Sequence, residues 1–172
     1  MLTPTATALQ RFQQHVVTQS KRNLTTKNKN VSKGLYNSIK GDVKESANSI
    51  QILFTMLDYG FYQDRGVKGV KSGRSLSGFK YTNKMPPAKA FDKWNIKRGF
   101  APRDRNGKFQ SRKSLNFAMA RHVYNYGIKP TEFFTKPFEA AYKNLPSELV
   151  ETYGLEAERL FDQIMIQNFK RK

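Results

Sequence analysis

Apolar residues recur at helical spacing near the start of the chain. On one face of a helix lie Leu9, Phe12, Val16 and Val17. Pro4 is compatible with the first turn of such a helix, so the pattern predicts a helix over residues 2–21. Residues 23–33 are polar, basic and rich in asparagine, with no apolar period, which indicates a loop or a mobile arm.

Between residues 38 and 57 the pattern changes to the alternation of apolar and polar positions that is typical of β-strands. The apolar face of the second strand would contain Ile50, Ile52, Phe54 and Met56. We expect a β-hairpin here, with its turn at residues 47–49. A short helix over residues 59–65 is expected next, for which Asp58 is a suitable cap and Gly66 a suitable end.

Residues 67–113 have no sustained period and are rich in Gly, Ser, Lys and Arg. Loops of this length in compact domains are usually functional or disordered, so we interpret the segment as a long, extended inserted arm. Two local elements are predicted inside it: a short helix over residues 88–94 and a tight turn over residues 104–108. Its aromatic residues are candidate interface anchors: Phe79, Tyr81, Phe91, Trp94, Phe100 and Phe109.

Helical patterns return after this segment. Ser114 is a suitable cap for a helix that Gly127 would end. A further helix or helix pair is expected over residues 139–169, broken or kinked at Pro146 and Gly154.

These elements predict an α+β fold, a small antiparallel sheet with a β-hairpin flanked by N-terminal and C-terminal helices. A chain of 172 residues suits a single domain of this kind, residues 1–172, better than two. Residues 67–113 would then form the long basic arm inserted in that domain.

The formal charge of +18 is the strongest global property of the sequence. Residues 65–113 hold fifteen Lys and Arg against two Asp, with Asp64 just before them, whereas residues 132–162 are net acidic. A charge of this size predicts a polyanionic or acidic partner, and opposite charges at two ends of a subunit favour head-to-tail ring assembly. The candidate DNA-facing or interface cations are Lys68, Lys71, Arg74, Lys80, Lys84, Lys97, Arg98, Arg103, Arg105 and Lys108.

Basic and aromatic residues interleave between residues 79 and 109, which leaves two interpretations open. The cations could contact phosphates while the rings stack on exposed bases. Alternatively, the aromatic residues dock on a neighbouring subunit. We favour docking because irregularly spaced anchors resemble interface knobs, and interfaces are enriched in Tyr, Trp and Arg.

We find no convincing catalytic, metal or cofactor site in the sequence. Residues 66–74 contain Gly and Lys but lack the Gly-Lys step between a strand and a helix that a nucleotide-binding loop needs. There is no cysteine to bind a metal ion. His15 and His122 both lie on predicted amphipathic helices, so we interpret them as packing or surface residues rather than metal ligands. No stretch approaches the roughly 18 apolar residues of a membrane-spanning helix. We therefore expect a non-enzymatic protein with no cofactor and no membrane partner.

Three short motifs follow one another along the chain. A Gly-Leu-x-x-Ser-Ile step precedes the predicted hairpin, a Tyr-rich turn that ends in Asp64 and a glycine follows it, and a Pro-Phe step precedes the last helix. The motif residues are Gly34, Leu35, Ser38, Ile39, Tyr59, Tyr62, Gly66, Pro137 and Phe138. In this order they resemble the gene-ten-type neck and tail-completion (head-tail joining) family of long-tailed bacteriophages, over most of the chain outside residues 67–113.

The resemblance implies a viral structural protein of the phage neck or tail top, a subunit of a homo-oligomeric ring that joins or completes head and tail and surrounds the DNA path. Its implied partners are further copies of itself, the neighbouring connector and tail proteins, and, as a candidate, genomic DNA passing through the ring. Its implied location is the virion, after assembly in the host cytoplasm.

Two alternatives from other classes remain. One is a basic nucleic-acid-binding protein that acts outside the virion, which salt-dependent binding by a monomer would favour. The other is an enzyme such as a nuclease, for which we find no suitable carboxylate cluster in the sequence.

Overall fold

The computed structural model describes residues 4–46, 49–71 and 74–145. Over this part of the chain the elements are α1 Pro4–Thr26, α2 Gly34–Ser38, β1 Lys40–Ser46, β2 Ser49–Thr55, α3 Tyr59–Arg65, a 3-10 turn Ala88–Phe91, α4 Asp92–Lys97, α5 Arg112–Tyr126 and α6 Thr135–Tyr142. The predicted α+β class is confirmed, with an antiparallel two-stranded hairpin flanked by helices on both sides in the sequence.

The chain divides into two compact units. The first contains residues 1–61 and 132–172, and the second contains residues 62–131. The hairpin, α1, α2 and α6 belong to the first unit, whereas the 3-10 turn, α4 and α5 belong to the second. Residues 67–113 therefore fall within the second unit, and their role as an assembly arm stays a prediction.

The hairpin of the first unit packs one face against α1. Phe54 pairs with Gly41, and Ile52 pairs with Val43. Because side chains alternate along a strand, these four positions share a face, and this face carries the buried Phe54. Exposed residues occupy the opposite face: Lys40, Asp42, Lys44 and Gln51. The predicted hairpin is confirmed, while its predicted turn includes residues 47–48, which lie outside the described residues.

Aromatic rings dominate the core of the first unit. Phe54 meets Phe134 edge-on with ring centroids 5.3 Å apart, and Phe12 meets Phe138 edge-on at 5.4 Å. Full burial of such a side chain contributes roughly 1.5–3 kcal/mol to folding, and edge-on ring pairs add about 0.5–1.5 kcal/mol. The remaining core residues are Val16, Leu24, Leu35, Ile39, Phe133 and Ala141.

Helix α1 is longer than predicted. It ends at Thr26 rather than at residue 21, so the first part of the predicted loop over residues 23–33 is helical. Leu24 continues the buried face of the helix and is fully buried. Asn23 Nδ2 also donates a hydrogen bond to the carbonyl oxygen of Phe133, at 3.3 Å. These long-range contacts hold the end of α1 in place despite its polar composition.

Ser38 joins α2 to the end of the hairpin. Its Oγ donates a hydrogen bond to the carbonyl oxygen of Leu35 at 2.8 Å and accepts one from the backbone N–H of Leu57 at 3.1 Å. Leu35 and Ile39, on either side of Ser38 in the sequence, are both buried in the core. The Gly-Leu-x-x-Ser-Ile step therefore forms a joint between α2, the core and β2.

Tyr59 lies against the same joint. A Cβ atom added to Gly34 would lie 3.3 Å from the Tyr59 hydroxyl, so a side chain at position 34 would crowd this contact. Burial raises the pKa of Tyr59, and a hydrogen bond with the backbone of Leu35 acts in the opposite direction.

Helix α3 covers the predicted residues, Tyr59–Arg65, and Gly66 follows it. The N–H of Gly66 donates a hydrogen bond to the carbonyl oxygen of Tyr62 at 2.9 Å, and its φ of 78° lies in the left-handed region. This is the conformation that helix ends commonly adopt at glycine. The prediction of this helix and its end is confirmed.

Helix α6 begins earlier than predicted, at Thr135 rather than at residue 139. Pro137 is accommodated because it lies in the first turn, where backbone N–H groups have no partner within the helix. Phe138 follows it into the core. Residues 146–172, which include Pro146 and Gly154 and most of the predicted final helix, lie outside the described residues.

In the second unit, α5 packs against the 3-10 turn and α4. Ser111, not Ser114, caps α5, because the Oγ of Ser111 accepts a hydrogen bond from the N–H of Lys113 at 3.2 Å. The predicted cap was therefore wrong: two serines precede the apolar run, and the path of the backbone selects the earlier one. Gly127 follows the last residue of α5, as predicted.

The two local elements predicted for residues 88–94 and 104–108 are present. The first is the 3-10 turn that continues into α4. In the second, Asp104 Oδ1 accepts hydrogen bonds from the N–H groups of Asn106 and Lys108, both at 2.9 Å. Backbone pairing of Arg103 with Phe109 closes this turn.

Candidate functional site

Positive charge is concentrated in the second unit. Residues 62–131 contain 17 Lys and Arg against three Asp, so most of the formal charge of +18 lies there. The three carboxylates are engaged locally: Asp64 is fully buried, Asp92 Oδ1 accepts a hydrogen bond from Asn116, and Asp104 Oδ1 accepts two from the backbone. The unit therefore has little acidic surface with which to balance its cations.

The ten candidate cations from the sequence are almost all on the surface. Arg98 is half-buried. The other nine are exposed: Lys68, Lys71, Arg74, Lys80, Lys84, Lys97, Arg103, Arg105 and Lys108. A charged surface of this kind attracts polyanions over distances of about a Debye length, roughly 8 Å at physiological salt.

Three of the six aromatic anchors are partly engaged in the packing of the second unit itself. Phe79 meets Tyr62 edge-on at 5.1 Å, and Tyr81 meets Tyr124 at 6.2 Å. Burial also raises the pKa of Tyr81. Phe91 lies half-buried in the 3-10 turn. These residues help to pack the second unit, and Phe79 is also 44% exposed.

The other three anchors are exposed beside arginines. The rings of Trp94 and Phe100 lie 5.4 Å apart, and the guanidinium of Arg98 lies 5.5 Å from the centre of the Trp94 ring. In a second pair, the guanidinium of Arg103 lies 3.8 Å from the centre of the Phe109 ring. Phe109 is 63% exposed, the largest fraction among the large hydrophobic residues in the described part of the chain. We call these five residues the aromatic-arginine surface.

A chain of buried side-chain amides lies beneath part of this surface. Asn95 is fully buried next to Trp94, and its Nδ2 donates a hydrogen bond to Asn116 Oδ1 at 2.6 Å. Asn116 Nδ2 donates in turn to Asp92 Oδ1 at 3.1 Å. Because such buried polar bonds are costly to break, they fix α4 on α5 and hold the Trp94 backbone in place.

A further exposed group on α5 was missed from the sequence. Arg121 lies 5.0 Å from the centre of the Phe117 ring, and the rings of His122 and Tyr126 lie 4.9 Å apart. Phe117 and Tyr126 are both about half exposed. In each pair the two residues are four positions apart, which places them on the same side of the helix.

His15, one of the two histidines of the chain, lies in the first unit. It lines a groove between α1 and the C-terminal end of α6 with Arg11, Phe12 and Leu145. Over the described residues, no group of three or more His, Asp or Glu side chains is placed to hold a metal ion. None of the described helices is long and apolar enough to cross a membrane.

No protein-family model matches this chain, and neither a curated protein nor a solved structure matches it.

Proposed function

We propose that this chain is a structural protein of a bacteriophage virion, located in the neck or at the top of the tail. Copies of it would form a ring that joins or completes head and tail and surrounds the DNA path. The observation that carries this proposal is the cationic surface of the second unit, where exposed aromatic residues lie among 17 Lys and Arg. Such a surface suits contact with large, negatively charged partners.

The positions of the motif residues support the proposal. Leu35, Ile39 and Phe138 lie in one buried core, and Ser38 hydrogen-bonds two elements beside it. Gly66 ends α3 in the left-handed conformation. Residues on which the resemblance rests therefore have structural reasons to be Leu, Ser, Ile, Gly and Phe, as expected if the motifs specify a fold.

The distribution of charge along the chain supports ring formation. The second unit is strongly basic, whereas residues 132–162 are net acidic. Contact between the basic surface of one copy and the acidic segment of the next is heterologous, and heterologous contacts generate rings when the rotation between copies closes. Neighbouring connector and tail proteins would bind the two open faces of the ring.

The proposal can be tested on purified phage particles. Virions should be purified from a host that carries the gene, and the chain should be sought in them by mass spectrometry. A stop codon early in the gene should yield DNA-filled heads and separate tails by electron microscopy, and expression in trans should restore joined particles. Absence of the chain from purified virions, with normal particles from the stop-codon strain, would refute the proposal.

Self-association can be measured on the purified chain. Mass photometry at several concentrations should show oligomers of one defined size that dissociate as the salt concentration rises, because the proposed contact is electrostatic. Reversing charge in the second unit, with Lys80→Glu and Lys84→Glu, should weaken the oligomer. Arg22→Glu together with Lys44→Glu, a matched charge change in the first unit, should leave it largely intact. A monomer under all conditions, with no partner required, would count against the ring.

The second candidate function is a basic nucleic-acid-binding protein that acts outside the virion. The same ratio of 17 cations to three carboxylates favours it. The two functions differ in location: the second predicts a monomer that binds DNA or RNA in the infected cell and is missing from purified particles.

A further inference from the structure

We infer that the aromatic-arginine surface of the second unit, formed by Trp94, Arg98, Phe100, Arg103 and Phe109, is a nucleic-acid contact in which the rings touch bases or sugars and nearby cations bind phosphates. This inference deepens the DNA contact in the proposed function and rests on that function only for the biological source of the DNA. The sequence had favoured protein docking for these aromatics, and the structure supplies three reasons to prefer nucleic acid.

The first reason is the local charge. The turn next to Phe109 carries Arg105 and Lys108, both exposed, and Lys97 is exposed at the end of α4. The carboxylate of Asp104 in this turn is already bound to two backbone N–H groups. A nucleic acid brings a regular row of phosphates that several such cations can contact at once.

The second reason is the pairing of rings with guanidinium groups. Arg103 lies 3.8 Å from the centre of the Phe109 ring while its Nη1 donates a hydrogen bond to the carbonyl oxygen of Gly107 at 2.9 Å. The hydrogen bond therefore helps to hold the guanidinium of Arg103 over the Phe109 ring. Trp94, Phe100 and Arg98 repeat this combination of a flat apolar face and a positive charge. Aromatic and guanidinium planes are the surfaces on which exposed bases stack.

The third reason is that the fold holds Trp94 and Phe100 in place. Asn95, next to Trp94, is fixed to α5 by its hydrogen bond with Asn116, and the backbone N–H of Phe100 donates to the carbonyl oxygen of Asn95 at 3.1 Å. Trp94 and Phe100 are thus held while 37% and 47% exposed. A binding surface that is already ordered loses little conformational entropy when a partner arrives.

The experiment uses the fact that Trp94 is the single tryptophan of the chain. The purified full chain is titrated into a short labelled DNA duplex and, separately, into a single strand of the same length. Binding is followed by fluorescence anisotropy and by the tryptophan emission. Both signals should change with the same midpoint in at least one arm, because a base or sugar against the indole alters its emission. The arm with tighter binding and the larger emission change identifies the form of DNA that the surface accepts.

Amino-acid substitutions then test which residues contact the DNA. Trp94→Ala should weaken DNA binding roughly 5- to 100-fold, the range for losing one stacked base, whereas Trp94→Phe should keep most of the affinity. Arg105→Ala with Lys108→Ala should weaken binding to every sequence and lower the slope of log affinity against log salt by about two. Arg22→Ala, on α1 of the first unit, is the matched control and should change affinity by less than about twofold. Circular dichroism confirms that each variant is folded, and Phe109→Ala provides a second ring variant at a more exposed position.

Two results would overturn the inference. One is DNA binding that leaves the tryptophan emission unchanged and does not respond to Trp94→Ala or Phe109→Ala, because the contact would then lie elsewhere. The other is no binding to either DNA at low salt, with the same variants impairing self-association, because the surface would then be a protein interface. Neither result depends on whether the chain is found in purified virions, so failure of this inference and failure of the proposed function can be told apart.

Discussion

Gly66 passes directly beside the carbonyl group of Ile128 in the second unit. A Cβ atom at position 66 would lie 2.6 Å from the Ile128 oxygen and 2.9 Å from the backbone nitrogen of Pro130. The φ of Gly66 is 78°, a conformation that side-chain-bearing residues rarely adopt. Position 66 therefore excludes a side chain for two independent reasons, close approach and backbone conformation.

Gly66→Ala should lower the free energy of unfolding by more than about 1 kcal/mol, because the left-handed conformation alone costs an L-residue roughly 1–2 kcal/mol. Gly66→Val should cost more. Gly78→Ala is the matched control, since a Cβ there meets nothing within 4 Å. Chemical denaturation followed by circular dichroism measures both. Equal stability of the two alanine variants would show that the turn after α3 is not constrained.

Phe54→Ala should destabilise the first unit by about 3–5 kcal/mol, the usual cost of emptying a buried phenylalanine site. The Phe54 ring meets those of Phe12, Phe134 and Phe138, so the cavity would be lined by large side chains that move little. Phe109→Ala removes the same atoms from an exposed position and should change stability little. A similar loss in both variants would contradict the placement of Phe54 at the centre of the core.

Ser38→Ala should lower stability by about 1 kcal/mol, because the Leu57 N–H would lose its acceptor and the Leu35 carbonyl a donor. Ser32→Ala, at an exposed position just before α2, is the control. Hydrogen exchange of the Leu57 amide gives a local readout and should accelerate only in Ser38→Ala. Unchanged protection at Leu57 would remove the role assigned to the hydroxyl.

Asn95→Ala and Asn116→Ala should each lower stability by about 1–3 kcal/mol, since each leaves a buried amide without its partner. The double variant should cost clearly less than the sum of the two, because the second substitution removes the group that the first left unpaired. Thermal unfolding of all four proteins completes this double-mutant cycle. Strict additivity would mean that the two amides do not interact.

Tyr81 should make stability fall at alkaline pH. Burial raises its folded-state pKa above the ordinary value of 10.0, so its contribution is fully present below that pH. That contribution is lost as the pH rises through the folded-state pKa. The unfolding free energy of the parent protein should therefore decline more steeply above pH 10 than that of Tyr81→Phe. Tyr126→Phe, at an exposed ring, is the control and should follow the parent.

Elements with local causes were predictable from the sequence. The helix Tyr59–Arg65 ends at Gly66 because glycine alone adopts the required conformation at low cost. The turn at Asp104 forms because a short carboxylate can bind backbone N–H groups two and four residues ahead. Side chains alternate strictly along β2, so the burial of Phe54 determines which of its residues face the core and which face the other side.

Elements held by distant contacts were not predictable from the sequence. The end of α1 looks like a loop in composition, and it is helical because Leu24 is buried and Asn23 reaches the carbonyl oxygen of Phe133, more than a hundred residues away. The early start of α6 likewise depends on the burial of Thr135 and Phe138 in the core of the first unit. Local propensity is too weak to decide such ends against tertiary packing.

For the candidate site, the sequence by itself determined the charge, because Lys and Arg lie on the surface almost wherever the chain places them. It did not determine which aromatic residues are accessible. Tyr81 and Phe91 are half-buried within the second unit, whereas Trp94 and Phe109 are exposed beside arginines. The side chain of an aromatic residue is equally suited to a core and to an interface, so only the tertiary structure, by providing or withholding neighbouring groups, decides which of the two it serves.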